Sequence, residues 1–127
     1  MTVARVLLVD DEMTILMVLQ ILLESAGHET VACNDGVQAL ALLGQSHFDL
    51  MISDVRMKPV DGLQLLKTAC SLKPPLPTIL VSAYEYPVAG LSGTDLGAAA
   101  QIRKPFNNNQ LLACVEQTLH QHLQDRK

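Results

Sequence analysis

Short apolar runs alternate with segments of helical periodicity along the whole length of this chain. Continuous apolar runs are typical of strands buried on both faces, whereas apolar residues spaced three and four apart are typical of amphipathic helices. This alternation favours an α/β fold, in which helices cover both faces of a parallel sheet and the crossovers are right-handed. We predict strands at residues 3–9, 29–33, 48–53, 78–83 and 99–102.

Glycine, proline and capping residues mark the ends of the intervening helices. Gly27 ends the first helix, and Asp35 and Asn107 are positioned to cap the second and the last. The segment 87–97 contains one proline and three glycines. Because each interior glycine costs a helix roughly 1 kcal/mol relative to alanine, we expect this fourth helix to form poorly. The predicted helices are 13–26, 35–43, 63–72, 87–97 and a last helix from 107 onward.

Two of these helices have apolar stripes that we expect to face the core. The stripe of the first helix consists of Ile15, Val18, Leu19, Leu22 and Ala26. That of the last helix consists of Leu111, Leu112, Val115, Leu119 and Leu123.

The composition narrows the class of protein. An apolar fraction of 49% in 127 residues is sufficient for the core of one domain, which we assign to residues 1–127. The nine Lys and Arg residues are scattered and the formal net charge is −4, which argues against direct binding of nucleic acid. No apolar run approaches about 18 residues and no signal-peptide pattern is present, so we predict no membrane association. Three unpaired cysteines, Cys33, Cys70 and Cys114, predict reduced thiols in the core of a cytoplasmic protein.

Polar residues stand where several predicted strands end. Asp10 and Asp11 follow the first strand, Asp54 follows the third, and Ser82 and Lys104 lie at the ends of the fourth and fifth. Ligands of open α/β sheets bind at the carboxyl ends of the strands. We therefore expect these five side chains, far apart in the sequence, to converge at one edge of the sheet.

These residue types suit the chemistry of phosphoryl groups. Carboxylates crowded together repel one another, and oxygen ligands from Asp10, Asp11 and Asp54 suit Mg²⁺, which relieves that repulsion. An ammonium from Lys104 and a hydroxyl from Ser82 can hold the oxygens of a phosphoryl group in transfer, with a carboxylate as the nucleophile. A P-loop ATPase would need the G-x-x-x-x-G-K-[ST] loop, which is lacking. A haloacid-dehalogenase-type phosphatase would need D-x-D, whereas the acids here are adjacent.

Four motifs in their order along the chain resemble the receiver domain of two-component response regulators. They are "VLLVDDE" (6–12), "ISDVRMKPVDGL" (52–63), "ILVSA" (79–83) and "RKPF" (103–106). The resemblance covers nearly the whole chain, from Val6 to the last helix. It implies a flavodoxin-like, doubly wound, five-stranded parallel sheet of order 2-1-3-4-5 with five helices, the fourth of them poorly formed.

The resemblance also implies a function. Receiver domains accept a phosphoryl group from a phosphohistidine on a sensor histidine kinase or a histidine phosphotransfer protein. On this resemblance Asp54 is the phosphoacceptor. Asp11 binds Mg²⁺ directly, Asp10 helps through the metal or its water, and the backbone carbonyl of Arg56 is a further ligand. The protein is then a signalling phosphoacceptor that catalyses only its own phosphorylation and dephosphorylation.

The remaining motif positions are implied to act on the phosphate. Lys104 neutralises the acyl phosphate, Ser82 donates a hydrogen bond to it, and Pro105 matches the proline that follows a cis peptide bond in this family. Two positions depart from the family pattern: Lys58 occupies a place that is usually proline, and Gln101 stands where an aromatic switch residue is usual. These departures keep open an alternative function, a receiver-like interaction module that is never phosphorylated.

Partner surfaces are also implied. Met13, Met17 and Ile21 form a stripe opposite the core side of the first helix, with Leu16 adding to the exposed apolar area, and the family uses this helix to contact kinase helices.

The family's output face is built from the fourth helix, fifth strand and last helix. We expect ordering of 84–97, with Ser82 and Gln101 as switch positions, to control an output domain or a target protein. Homodimer formation on phosphorylation is a further expectation. The chain contains no recognisable output domain, so we expect it either to act alone or to be the N-terminal part of a longer regulator.

Overall fold

Five strands form one parallel sheet within the part of the chain that the structure describes. The structure is a computed structural model that describes residues 3–57, 59–83, 94 and 96–125. The strands are β1 (Arg5–Val9), β2 (Glu29–Cys33), β3 (Leu50–Asp54), β4 (Thr78–Ser82) and β5 (Ala100–Arg103). Their order is β2-β1-β3-β4-β5, and all neighbouring pairs are parallel. The predicted sheet order is therefore confirmed.

The three central strands carry the most buried residues. Every residue of β3 and β4 is buried, as is β1 beyond Arg5, because helices cover both faces of the sheet at these strands. The edge strands β2 and β5 are only partly buried. The predicted first and third strands began two residues too early. Val3 is exposed, and Phe48 is buried although it precedes β3.

Four helices pack on this sheet in the described residues: α1 (Met13–Ser25), α2 (Gly36–Gln45), α3 (Gly62–Ser71) and α4 (Asn108–Asp125). Both predicted caps are confirmed: Asp35 accepts from the Gln38 N–H at 2.8 Å, and Asn107 accepts from the Gln110 N–H at 2.7 Å. Most of the predicted fourth helix, 87–97, and of the proposed switch segment, 84–97, lies outside the described residues.

The side chains of β1 alternate between two cores, one on each face of the sheet. Val6 and Leu8 point toward α1 and α4, whereas Leu7 and Val9 point toward α2 and α3. The helical residues that complete the first core are Leu16, Leu19, Leu23, Leu111, Val115 and Leu119. Those that complete the second are Ala39, Leu43, Leu65 and Ala69.

The buried face of α1 differs from the predicted stripe. Leu16 is buried, with 4% of its surface exposed, and does not add to the exposed area, whereas Val18 is 37% exposed. Apolar residues surround most of this helix, so several overlapping stripes fit the helical spacing. Packing against the sheet and α4 selects the stripe of Leu16, Leu19 and Leu23. In α4 the prediction holds for Leu111, Val115 and Leu119, while Leu112 is only partly buried.

The three cysteines are free thiols in different environments. Cys33 is buried and Cys114 is partly buried, but Cys70 is exposed on α3, so the prediction of core thiols is wrong for Cys70. Burial, reinforced by the negative charge of Asp35, raises the pKa of the Cys33 thiol to about 11. Over the described residues, every helix is too short or too polar to cross a membrane.

Candidate functional site

Three charged side chains meet at the carboxyl ends of β1, β3 and β5. Asp10 follows β1, Asp54 is the last residue of β3, and Lys104 follows β5. The Lys104 Nζ lies 3.0 Å from Asp10 Oδ2 and 3.5 Å from Asp54 Oδ2. Asp10 and Asp54 are buried, with only 1% and 8% of their surfaces exposed. The predicted convergence of these three residues is therefore present.

Backbone hydrogen bonds hold these side chains in place. Asp10 Oδ1 accepts from the Glu12 N–H at 2.9 Å, and Asp54 Oδ1 accepts from the Val55 N–H at 2.9 Å. The Lys104 N–H donates to the Ser82 carbonyl oxygen at 2.8 Å, which fixes the end of β5 beside the end of β4. Both buried carboxylates thus keep one oxygen hydrogen-bonded to the backbone and the other directed at Lys104.

Two glycines bring the β3–α3 loop close to neighbouring elements. A β-carbon on Gly62 would lie 2.1 Å from the Asp54 carbonyl oxygen, and the Gly62 N–H donates to the Val55 carbonyl oxygen at 2.8 Å. A β-carbon on Gly36, the first residue of α2, would lie 2.3 Å from the Val60 carbonyl oxygen. Helices α2 and α3 therefore press on the loop from both sides, and only glycine permits this approach.

The electrostatics of the site show an excess of negative charge. Burial raises the pKa of Asp54, and the charges of Asp10 and Asp11 raise it further against the opposing effect of Lys104. Burial also raises the pKa of Asp10, although the Glu12 N–H and Lys104 lower it in part. Burial by itself lowers the pKa of Lys104, but its contacts with Asp10 and the charges of Asp54 and Glu12 outweigh that effect and raise it. The single ammonium of Lys104 therefore interacts with three carboxylates, those of Asp10, Asp54 and Glu12.

The carboxylates fit a hard divalent cation. Oxygen atoms of Asp10, Glu12 and Asp54 all lie within 4.8 Å of one another. Carboxylate oxygens at this spacing are the ligands that Mg²⁺ takes in proteins, and two positive charges would relieve the crowding seen in the raised pKa values. Among the described residues this is the one group of potential ligands that forms such a cluster.

Glu12 belongs to this cluster and was not among the predicted ligands, which were Asp10, Asp11, Asp54 and the backbone carbonyl of Arg56. Its Oε1 lies 3.5 Å from Lys104 Nζ. Asp11 is exposed and lies outside the cluster, although its charge acts on Asp54. The signal for Glu12 was its place as the third acid in the run Asp10-Asp11-Glu12.

The other predicted site residues lie near this centre or on separate surfaces. Ser82 is buried at the end of β4, and Gln101 is half-buried in β5. Arg56 is exposed two residues after Asp54, and Lys58 lies outside the described residues. The Lys104-Pro105 bond is cis, as the resemblance implied. Met13, Met17 and Ile21 are exposed along α1, as predicted, with 55%, 57% and 65% of their surfaces accessible.

Comparison with known proteins decides the family. The family model for the response regulator receiver domain matches residues 6–116. The chain belongs to this family. The transcriptional regulatory protein ZraR of Escherichia coli O157:H7 is 34% identical over 121 residues, which are 94% of this chain and 27% of that protein. The transcriptional regulator NtrC of Salmonella typhimurium is 34% identical over 94% of this chain and 25% of its own length. The receiver thus spans about a quarter of the length of these curated relatives.

Solved structures agree with this assignment. A CheY-like receiver domain protein from Methanospirillum hungatei superposes with a TM-score of 0.90 at 28% identity, covering 98% of this chain and 99% of that one. NtrX from Brucella abortus superposes with a TM-score of 0.89 at 30% identity, covering 98% of this chain and 29% of that one. The protein is therefore a receiver domain of the two-component type, with the CheY-like fold and a role in signalling.

Proposed function

We propose that Asp54 accepts a phosphoryl group from a phosphohistidine on a sensor histidine kinase or a histidine phosphotransfer protein, in a step that requires Mg²⁺. The observation that carries this proposal is the burial of the Asp54 carboxylate 3.5 Å from Lys104 Nζ and beside Asp10. At one end of the sheet, the proposed nucleophile Asp54 lies beside the positive charge of Lys104, which can contact the phosphoryl oxygens. The proposed metal ligands lie at the same end.

The transfer follows from these positions. A carboxylate oxygen of Asp54 attacks the phosphorus, the P–O bond forms, and the P–N bond to the histidine breaks with its electron pair remaining on the imidazole. The Lys104 ammonium stabilises the charge on the equatorial oxygens, and the Ser82 hydroxyl donates a hydrogen bond to the acyl phosphate. The chemistry of the protein is then confined to its own phosphorylation and dephosphorylation.

The residues that would hold Mg²⁺ are Asp10, Asp11, Asp54 and the backbone carbonyl of Arg56, with Glu12 adjoining them. When bound, the ion would neutralise charge on the phosphoryl oxygens. Gly62 and Gly36 support this arrangement by fixing the loop that contains Arg56, through their close approach to Asp54 and Val60.

A small phosphodonor tests the proposal without a kinase. We expect acetyl phosphate with Mg²⁺ to add one phosphoryl group to the wild-type protein, as detected by intact-mass spectrometry. We expect none on Asp54→Asn, whose amide is no nucleophile. A wild-type protein that takes up no phosphoryl group under these conditions would favour the alternative, an interaction module that is never phosphorylated.

The exposed stripe of Met13, Met17 and Ile21 is proposed as part of the surface that contacts the kinase. It lies on α1, which starts directly beside Asp10 and Glu12, so a partner on this helix is close to the phosphorylation site. The large exposed area of the three side chains supports this role.

The relatives of this chain indicate what its phosphorylation would control. ZraR and NtrC are named as transcriptional regulators. We infer that phosphorylation of this receiver, through Ser82 and Gln101, controls an output domain or a target protein in the cytoplasm, with homodimer formation as one consequence. Direct contact with nucleic acid is assigned to the output partner, because this chain carries a net charge of −4.

A further inference from the structure

Glu12 is the exposed member of the three carboxylates around Lys104. The Lys104 Nζ lies 3.0 Å from Asp10, 3.5 Å from Asp54 and 3.5 Å from Glu12. The side chains of Asp10 and Asp54 are 1% and 9% exposed, whereas that of Glu12 is 62% exposed. Glu12 is therefore the one partner of the three that can leave Lys104 and be hydrated at little cost.

Helix capping does not account for the position of this side chain. Glu12 occupies the N-cap position of α1, where a side-chain oxygen commonly accepts from a backbone N–H of the first turn. It makes no such bond. Its carboxylate is directed instead at the ammonium of Lys104, which follows β5 and is far from Glu12 in the sequence.

We propose that Glu12 is a positioning residue for Lys104, which it holds in the unphosphorylated receiver, and that its charge slows the reaction of anionic phosphodonors at Asp54. This inference rests on the proposed function, because it concerns the approach of a phosphoryl group to the same site. Lys104 turns to the phosphoryl oxygens during transfer, and its contact with Glu12 opposes that movement only to the small extent of one exposed ion pair.

Glu12 also borders a cavity on the same side of the domain as Lys104. Glu12 and Lys104 both line a cavity of about 430 Å³, together with Ile15 and Phe106. A phosphodonor that comes to Lys104 meets the negative charge of Glu12 3.5 Å from the ammonium. A negative charge beside the site lowers the local concentration of an anionic reactant and its rate of association.

A role as an essential metal ligand predicts the opposite effect. If Glu12 mainly bound Mg²⁺, removal of its charge would weaken the metal site and slow phosphorylation. If Glu12 mainly restrained Lys104 and repelled the donor, removal would speed the reaction once Mg²⁺ is saturating. The sign of the change therefore separates the two roles.

The test compares Glu12→Gln with the wild type, using the whole 127-residue chain, acetyl phosphate and saturating Mg²⁺. We expect the second-order rate constant of phosphorylation, followed by intact-mass spectrometry, to rise about two- to five-fold, as suits one partly exposed ion pair. Added KCl should shrink this advantage, because salt screens exposed charges. Glu12→Asp retains the charge and should restore a rate near that of the wild type.

Glu24→Gln is the matched control. It removes the same charge from an exposed position near the other end of α1, about 18 Å along the helix from Glu12. Its rate should equal that of the wild type. An unchanged or lower rate for Glu12→Gln, or an equal gain for Glu24→Gln, would overturn the inference while leaving the proposed function intact. A wild-type protein without phosphorylation would instead remove the proposed function, and this inference with it.

Discussion

Gly62 packs directly against the main chain of Asp54, so that a β-carbon at Gly62 would lie 2.1 Å from the Asp54 carbonyl oxygen and 2.9 Å from the α-carbon of Val55. This contact joins the start of α3 to the residue proposed to take the phosphoryl group. The atoms in the way belong to backbone, which cannot rotate aside as a side chain would. The contact therefore makes the first turn of α3 and the end of β3 a single packed unit.

Gly62→Ala should consequently destabilise the fold. We expect the free energy of unfolding in urea to fall by about 1–3 kcal/mol, the range for overpacked sites. Gly44→Ala is the matched control, since no atom beyond its chain neighbours and the backbone of its own helix, α2, lies within 4 Å of a β-carbon at Gly44. This control should be neutral or stabilising by up to about 1 kcal/mol, because alanine is the better helix former. Equal losses in both variants would contradict the packing argument.

Asp54→Asn should stabilise the receiver when Mg²⁺ is absent. The folded state raises the pKa of Asp54, through burial and the charge of Asp10, so ionisation costs stability. The stability that the protonated Asp54 contributes is fully present at a pH below the pKa of this residue in the unfolded chain. It is lost as the pH rises through the raised pKa of Asp54 in the folded state. A neutral amide that still accepts from the Val55 N–H avoids this cost, and we expect a gain of about 1 kcal/mol or more at pH 7.

The control for this variant is Asp61→Asn, which removes the same charge from the N-cap of α3, where asparagine caps equally well. Its stability should stay within about 0.5 kcal/mol of the wild type. The two variants are compared by urea unfolding at pH 7 and pH 5. The difference between Asp54→Asn and the wild type should shrink at the lower pH, and a constant difference would count against the assigned cause.

Mg²⁺ should raise the melting temperature of the wild type. A cation that binds only the folded state stabilises it by mass action, by about 2.7 kcal/mol at 100 times its dissociation constant. We expect most of this gain to be absent in Asp54→Asn and in Asp11→Ala. NaCl at matched ionic strength separates specific binding from screening, and an equal rise with either salt would contradict a metal site.

The sequence predicted the fold and the centre of the site because both depend on patterns with few solutions. Alternating strands and helices leave little freedom in topology, and polar residues that end parallel strands must meet at one edge. Asp10, Asp54 and Lys104 were found in this way. Glu12 was not, since its part depends on which way an exposed side chain turns at the start of α1.

The exposure of Cys70 was predicted wrongly because the number and spacing of the cysteines, on which the prediction of core thiols rested, do not determine where each thiol lies. The exposure of Leu16 and Val18 was predicted wrongly for a reason related to that of Glu12. Both lie on α1, whose apolar residues fit more than one stripe, and the choice between stripes is made by packing against the sheet. Spacing along the sequence carries little information on that choice. Errors of this kind move single residues between core and surface without changing the fold.

The three thiols should react in the order of their exposure. Cys70 is exposed, Cys114 is partly buried and Cys33 is buried. Because burial raises the pKa of Cys33 to about 11, almost none of it is thiolate at pH 8. Ellman's reagent should therefore modify Cys70 first, Cys114 more slowly and Cys33 only after unfolding in guanidinium. Cys70→Ser should remove the fast phase alone, and rapid loss of all three native thiols would show that the core opens readily.

Polar substitutions on the exposed stripe of α1 should separate the kinase reaction from the chemistry of the site. Met17 and Ile21 are 57% and 65% exposed, so Met17→Gln and Ile21→Gln remove apolar contact area without opening the core. We expect the rate of phosphotransfer from the kinase to fall by about 5- to 150-fold for the double variant, since well-placed apolar anchors at an interface contribute roughly 1–3 kcal/mol. Phosphorylation by acetyl phosphate should keep its wild-type rate.

Val37→Gln provides the control for that experiment, because Val37 is 51% exposed but lies on α2. It should leave both reactions unchanged if the kinase docks on α1. Slower phosphorylation of the double variant by acetyl phosphate as well as by the kinase would indicate damage to the fold. If transfer from the kinase to the double variant is unchanged, the kinase docks on a surface other than the exposed stripe of α1.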